Sequence, residues 1–136
     1  MAGYSGTTLL KKLGLKPGQR VSFINEPAGF RKLLAPLPRD LTLDGARPPL
    51  DFVIVFAMER AALARELERQ AKRIAPDAML WVGWPKKASR VPTDITEDVV
   101  RAVALPMGLV DVKVCAIDDT WSGLKLVIRK ENRGKR

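Results

Sequence analysis

The sequence predicts an α/β fold: a three-layer sandwich around a Rossmann-like, mostly parallel sheet, with a C-terminal β-hairpin contributing one antiparallel strand. Three observations predict it. Leu50–Ala57, L-D-F-V-I-V-F-A, is a near-continuous apolar run, which implies burial on both faces as in the middle of a parallel sheet. Glu59–Ala75 then sets Leu63, Leu67, Ala71 and Ile74 on one stripe, with Arg65, Glu66, Arg69, Lys72 and Arg73 on the other side. A second buried strand, Ala78–Trp84, follows after Pro76-Asp77, and strand–helix–strand is the pattern of a right-handed parallel crossover.

The remaining elements complete that sheet. Leu9, Leu10 and Leu13 have the spacing of a short amphipathic helix, capped by Thr7 or Thr8 and stopped by Gly14. That helix packs under the sheet; a phosphate contact by Ser5-Gly6-Thr7-Thr8 is the alternative use of its start. Arg20–Asn25 reads as the first strand, bounded by Gly18 and Pro27, and Phe30–Leu37 as one or two helical turns. Leu41–Leu43 is a second, short strand followed by an Asp44-Gly45 turn. Further on, Asp94 with Glu97 fits a capping box, and Thr96 is an alternative cap for a helix led by Val99, Val100 and Val103. Pro106 and Gly108 close it. Val110–Ile117 and Leu124–Arg129 are two strands whose connection is too short for a helix, so they run antiparallel.

Composition narrows the function. The chain has 136 residues, 46% hydrophobic and 29% charged, which suits one α/β domain over residues 1–130 with a basic tail at 131–136. No apolar run is long enough to span a membrane, and the N-terminus lacks the layout of a secretory signal, so a cytoplasmic location is expected. The formal charge of +9 favours anionic partners: a small anion, or nucleic acid bound through the basic surface and tail. Much of the excess is terminal, since Arg129, Lys130, Arg133, Lys135 and Arg136 face only Glu131. With no histidine, His-based acid–base chemistry and most zinc sites are excluded. Cys115 alone excludes cysteine clusters and dithiol redox chemistry, and its apolar setting predicts a buried, inert thiol. Neither a G-x-G-x-x-G nor a G-x-x-x-x-G-K-[ST] string occurs, and no cofactor and no metal are expected.

In open parallel sheets ligands bind outside the carboxyl ends of the strands. Those ends carry Asn25 and Glu26, Glu59, then Lys86, Lys87 and Ser89, and finally Asp118 and Asp119 with Trp121 and Ser122 in the hairpin turn. Lys86 and Lys87 can neutralise a phosphate or carboxylate as point charges. Trp121 can stack on a planar ligand or pack over the sheet edge, whereas Trp81 and Trp84 read as core. Adjacent carboxylates such as Asp118-Asp119 do not face one way, so they serve a turn better than a metal.

A buried strand, a helix and a closing hairpin together resemble the second half of the Rossmann-like class I methyltransferase fold. K-P-G-Q-R-V (Lys16–Val21) resembles the lead-in to its first strand. The resemblance implies an acidic, glycine-rich loop approaching the methionine part of S-adenosylmethionine. In V-S-F-I-N-E-P-A-G-F (Val21–Phe30) only Gly29 and a displaced Glu26 correspond, and Asp44 stands where a ribose-binding acid belongs. The chain is also short for such an enzyme. Over Tyr4–Arg129 the strings Y-S-G-T-T-L-L-K-K, W-P-K-K-A-S, T-E-D-V-V-R and D-V-K-V-C-A-I-D-D-T-W-S-G-L-K resemble a family of small bacterial proteins classed as a domain of unknown function. The leading expectation is a domain binding a small anion or a protein partner at the carboxyl edge of the sheet. An enzyme on a degenerate methyltransferase-like scaffold and a nucleic-acid-binding protein are the alternatives.

Overall fold

The two strands of the predicted crossover are the most buried in the molecule. The computed structural model describes residues 8–134. Its sheet contains β1 (Val21–Ile24), β2 (Leu50–Phe56), β3 (Ile74–Pro85), β4 (Leu109–Ala116) and β5 (Trp121–Ile128), in spatial order β1-β2-β3-β5-β4. β1, β2 and β3 are parallel neighbours, and β5 runs antiparallel to both β3 and β4. β4 therefore points the same way as the first three strands, and the β4–β5 turn sits at their carboxyl edge.

Helices complete the sandwich: α1 (Leu9–Leu13), α2 (Phe30–Leu34), α3 (Arg60–Ala71), α4 (Glu97–Ala104) and the short α5 (Lys130–Arg133). Alternation along each strand separates two apolar layers. On one face Val53, Val55, Leu80, Val82, Leu124 and Leu126 meet Leu63 and Leu67 of α3 and Val100 and Val103 of α4. On the other, Phe52, Ile54, Phe56 and Trp81 meet Leu13 of α1 and Phe30 and Leu34 of α2. Trp81 and Trp84 are both buried, in opposite layers, as core. The indole Nε1 of Trp81 donates to the Leu13 carbonyl at 2.9 Å, which meets a helix-end acceptor that burial would otherwise orphan. Among the described residues no helix is long and apolar enough to cross a membrane.

Several boundaries differ from the sequence expectation. The helix expected to reach Ala75 ends at Ala71, and Ile74 opens β3 opposite Leu50 instead of extending the helical stripe. β2 captures that backbone, because Leu50 N–H donates to the Arg73 carbonyl at 2.8 Å. Pro76 and Asp77 then fall in a register shift of β3, the kind of irregularity where a missing N–H is tolerated. Leu41–Leu43 forms no strand, only one parallel bridge from Thr42 to Arg20; Asp40 and Asp44 flank it with φ of 60° and interrupt extension. β5 begins at Trp121, so Trp121 and Ser122 belong to the strand and not to the turn. Thr96, not Asp94, caps α4, its Oγ1 accepting from Val99 N–H at 3.2 Å. Asp94 serves α3, its Oδ1 accepting from Arg60 N–H at 2.6 Å. Ser5, Gly6 and Thr7 lie outside the described residues, and Thr8 caps α1 by accepting from Lys11 N–H.

One topological feature positions the site. Val21 N–H donates to the Thr42 carbonyl on the outer side of β1, while Phe52 N–H donates to the Arg20 carbonyl on the inner side. After β1 the chain thus runs outward, then returns across β1 to enter β2, whose own crossover runs inward to β3. The connections part between β1 and β2.

Candidate functional site

A split of this kind opens a crevice outside the carboxyl ends of the two diverging strands. On the β1 side, Asn25 ends the strand at φ 56°, a left-handed conformation that asparagine tolerates. Glu26 follows, then Pro27, and Gly29 at φ 85° starts α2. From α2, Arg31 reaches back to the loop. Its Nε and Nη2 donate to Glu26 at 3.0 and 2.8 Å, and its Nη1 and Nη2 donate to Asp44 at 2.8 and 2.7 Å. The guanidinium carbon also lies 5.6 Å from the centre of the Phe23 ring, within cation–π range. Hydrogen bonding to Asp44 first and Glu26 second raises the Arg31 pKa, and the same guanidinium lowers that of Asp44.

On the β2 side, Met58 is 48% exposed and Glu59 stands at the N-cap position of α3. The loop after the Lys87–Ser89 turn is pinned to this strand end: Thr93 Oγ1 donates to the Met58 carbonyl at 2.6 Å and Asp94 N–H to the same oxygen at 3.4 Å. Met58, Glu59, Pro92, Thr93 and Asp94 line an open cavity of about 430 Å³. Asp94 is engaged with Arg60 N–H, but the Glu59 carboxylate makes no hydrogen bond or ion pair among the described residues. It is the uncommitted acid at the crevice.

The other predicted site residues gather farther along the edge. Lys86 N–H donates to the Thr120 carbonyl at 2.7 Å, which joins the β3 end to the β4–β5 turn. Asp118 Oδ1 accepts from Thr120 and Trp121 N–H at 2.8 and 2.7 Å, so this carboxylate shapes the turn. Ser89 Oγ donates to the Lys86 carbonyl at 2.6 Å and accepts from Val91 N–H, which holds the loop. Ser122 is the register partner of Trp84. Trp121 packs edge-on against Phe56 with centroids 5.3 Å apart, covering the sheet edge. Lys87 and Asp119 are exposed. Among the described residues no ion pair joins Lys86 or Lys87 to Glu26, Glu59, Asp118 or Asp119.

Four residues around these strand ends carry no signal of that placement in the sequence. Arg31 looks like any solvated helix cation, and no local pattern pairs it with acids five and thirteen residues away. Thr93 and Asp94 read as helix-start signals, which hid their attachment to Met58. Gly83, opposite Gly123 in β5, also escaped notice. A Cβ on Gly83 would lie 2.7 Å from Phe56 Cδ2, so its absence is what admits the Phe56 ring beneath the crevice.

The methyltransferase resemblance implies S-adenosylmethionine, and the residues present do not match what it would need. Both oxygens of Glu26 and both of Asp44 already accept from Arg31. The guanidinium competes with ribose hydroxyls for these oxygens, although the Asp44 side chain stays 66% exposed.

Comparison with protein-family models finds no match, and no curated protein matches the chain. Solved structures do resemble it. A SAM-dependent methyltransferase from Aquifex aeolicus superposes with a TM-score of 0.64 at 18% identity, over 88% of each chain. A putative methyltransferase from Thermoplasma acidophilum gives 0.58 at 10% identity, over 86% of this chain and 71% of that one. Fibrillarin from Aeropyrum pernix, in complex with natively bound S-adenosyl-L-methionine, gives 0.58 at 10% identity, over 85% and 69%. The chain matches the Aquifex aeolicus protein in length but spans only 71% and 69% of the other two. At these identities the likeness is one of fold: this chain has the α/β architecture of S-adenosylmethionine-dependent methyltransferases.

Proposed function

We propose that the protein is an enzyme on an altered methyltransferase-like scaffold, acting on a small molecule held in the crevice between the ends of β1 and β2. The observation that carries this reading is the uncommitted Glu59 carboxylate on the wall of an open cavity, which lies between the β2 end and the loop before α4 and so borders the point where the chain connections part. A carboxylate there accepts hydrogen bonds from hydroxyl or amine groups of a ligand and takes a proton where one must leave. The two-way coverage of the Aquifex aeolicus enzyme supports an enzymatic over a purely structural role. A second reading rests on the bond from Lys86 N–H to the Thr120 carbonyl, which seats Lys86 and Lys87 beside the β4–β5 turn. There they would hold a small anion or an acidic protein partner.

A thermal-shift panel separates the two. S-adenosylmethionine, S-adenosylhomocysteine, adenine nucleotides and phosphorylated sugars are each added to wild type, Glu59→Gln and the double variant Lys86→Gln/Lys87→Gln. At least one compound is expected to raise the melting temperature of wild type and of the lysine variant, and not of Glu59→Gln. Mass spectrometry is then expected to show its turnover. No shift with any compound, or a shift indifferent to Glu59, contradicts the crevice. Loss in the lysine variant alone transfers the site to that loop.

A further inference from the structure

The layer on which α1 and α2 pack ends in a run of lysines. A Cβ on Gly123 would meet Trp81 and Ile117, so Gly123 faces that layer, and strand alternation places Lys125 on the same side. Lys113 is the register partner of Lys125, and Cys115 that of Gly123. The environment of Lys125 includes the charges of Lys113 and Lys16, and that of Cys115 includes Lys113 and Lys12. Four cations from β4, β5, α1 and the turn after it therefore meet on one face. Among the described residues none of the four has an ion pair. Residues 1–7 and 135–136 contain no aspartate or glutamate to supply a counter-charge. Like charges directly opposite one another on a sheet oppose folding, so the sequence retains an arrangement that stability alone disfavours.

We propose that Lys12, Lys16, Lys113 and Lys125 form a binding face for the phosphodiester backbone of nucleic acid. The four side chains come from β4, β5, α1 and the turn after it, a spread that suits a linear polyanion better than a free phosphate. They are flexible point charges without the planar fork of arginine, so they hold backbone and do not read bases. Val114, exposed on the same strand, pairs with Leu124 and belongs to the opposite layer; Val112, exposed at the bulge beside Lys113, is a single apolar side chain, which argues against a lipid surface. Burial first, then Lys113 and Lys16, depresses the ammonium pKa of Lys125; a bound phosphate reverses the effect of its neighbours. This face is separate from the β1–β2 crevice, so either assignment can fail alone.

The test is fluorescence anisotropy of a labelled single-stranded 20-mer with the full chain, between about 50 and 200 mM NaCl. With four phosphate contacts the slope of log affinity against log salt is about −2.8; with two it is about −1.4. Lys113→Gln/Lys125→Gln is expected to bind several-fold more weakly at low salt, with the smaller slope, and to melt no lower than wild type. Arg65→Gln/Arg69→Gln, on α3 against the opposite layer of the sheet, is the control expected to match wild type. Unchanged affinity and slope in the first variant overturn the proposal. So does an absence of oligonucleotide binding, including one accompanied by binding to phosphatidylglycerol vesicles. Abolition of all binding by truncation after Arg129 transfers the interaction to the tail and likewise overturns it.

Discussion

Arg31 organises the carboxyl end of β1. A single guanidinium takes the four oxygens of Glu26 and Asp44 and rests on Phe23, converting two acids of the β1 side into an internal ion cluster. Both acids are legible in the sequence, Glu26 as a site residue and Asp44 as a ribose mimic, but their shared pairing with Arg31 is not. Side-chain partners across a loop leave no periodic trace. Removing the guanidinium should return the acids to a ligand. Arg31→Ala is predicted to bind S-adenosylhomocysteine about tenfold more tightly than wild type, the scale of one charged hydrogen bond regained. Isothermal titration calorimetry measures it, and affinity unchanged or weaker in a folded variant contradicts the account. Cys115 illustrates the opposite outcome. Its apolar neighbours in sequence predicted a buried thiol; it is half-buried at the edge strand β4, and burial still raises its pKa.

Elements with a strong apolar signature were legible, and those held by long-range partners were not. β2 and the central part of β3 emerge within a residue of expectation because burial on both faces leaves an unbroken apolar run. Helical spacing carries the α3 stripe on to Ile74, and only the neighbouring strand decides that this residue pairs with Leu50. α4 falls where its valines predict it, but the sequence offers two caps and no anchor. Thr96 caps it, and Arg101 ties it to the sheet by donating to Asp111 of β4 at 2.8 Å, while also pairing with Glu97 and Asp98. Arg101 lowers the Asp111 pKa below the ordinary carboxylate value, chiefly by hydrogen bonding. A carboxylate depressed in the folded state stabilises above its unfolded pKa of about 3.9, and that stability is lost as pH falls through the lower folded value. Melting temperature is therefore predicted to drop below about pH 4, with the drop smaller in Asp111→Asn. An equally steep drop in the variant removes the α4–β4 tie from the acid response.

At the scale of the molecule, strand order decides where chemistry can sit. The three-layer sandwich, the crossover and the closing antiparallel hairpin were all readable from the sequence, since each follows from alternation and connection length. The switch between β1 and β2 was not, because it depends on one bridge at Thr42 in a stretch too polar and too short to form a strand. That is why sequence reasoning spread its candidates along the whole carboxyl edge. The structure places Asn25 and Glu26 at the end of β1, Glu59 on a cavity wall at the end of β2, and the remaining candidates farther along the edge between Lys86 and Ser122. The claim that the crevice is the ligand site is tested most directly by amide NMR shift mapping of the wild-type chain, titrated in turn with S-adenosylhomocysteine, AMP and glucose 6-phosphate. The account predicts saturable shifts concentrated at residues 25–29, 57–61 and 92–95 for at least one of them. Shifts confined to residues 86–89 and 118–122, or absent with all three, would contradict it.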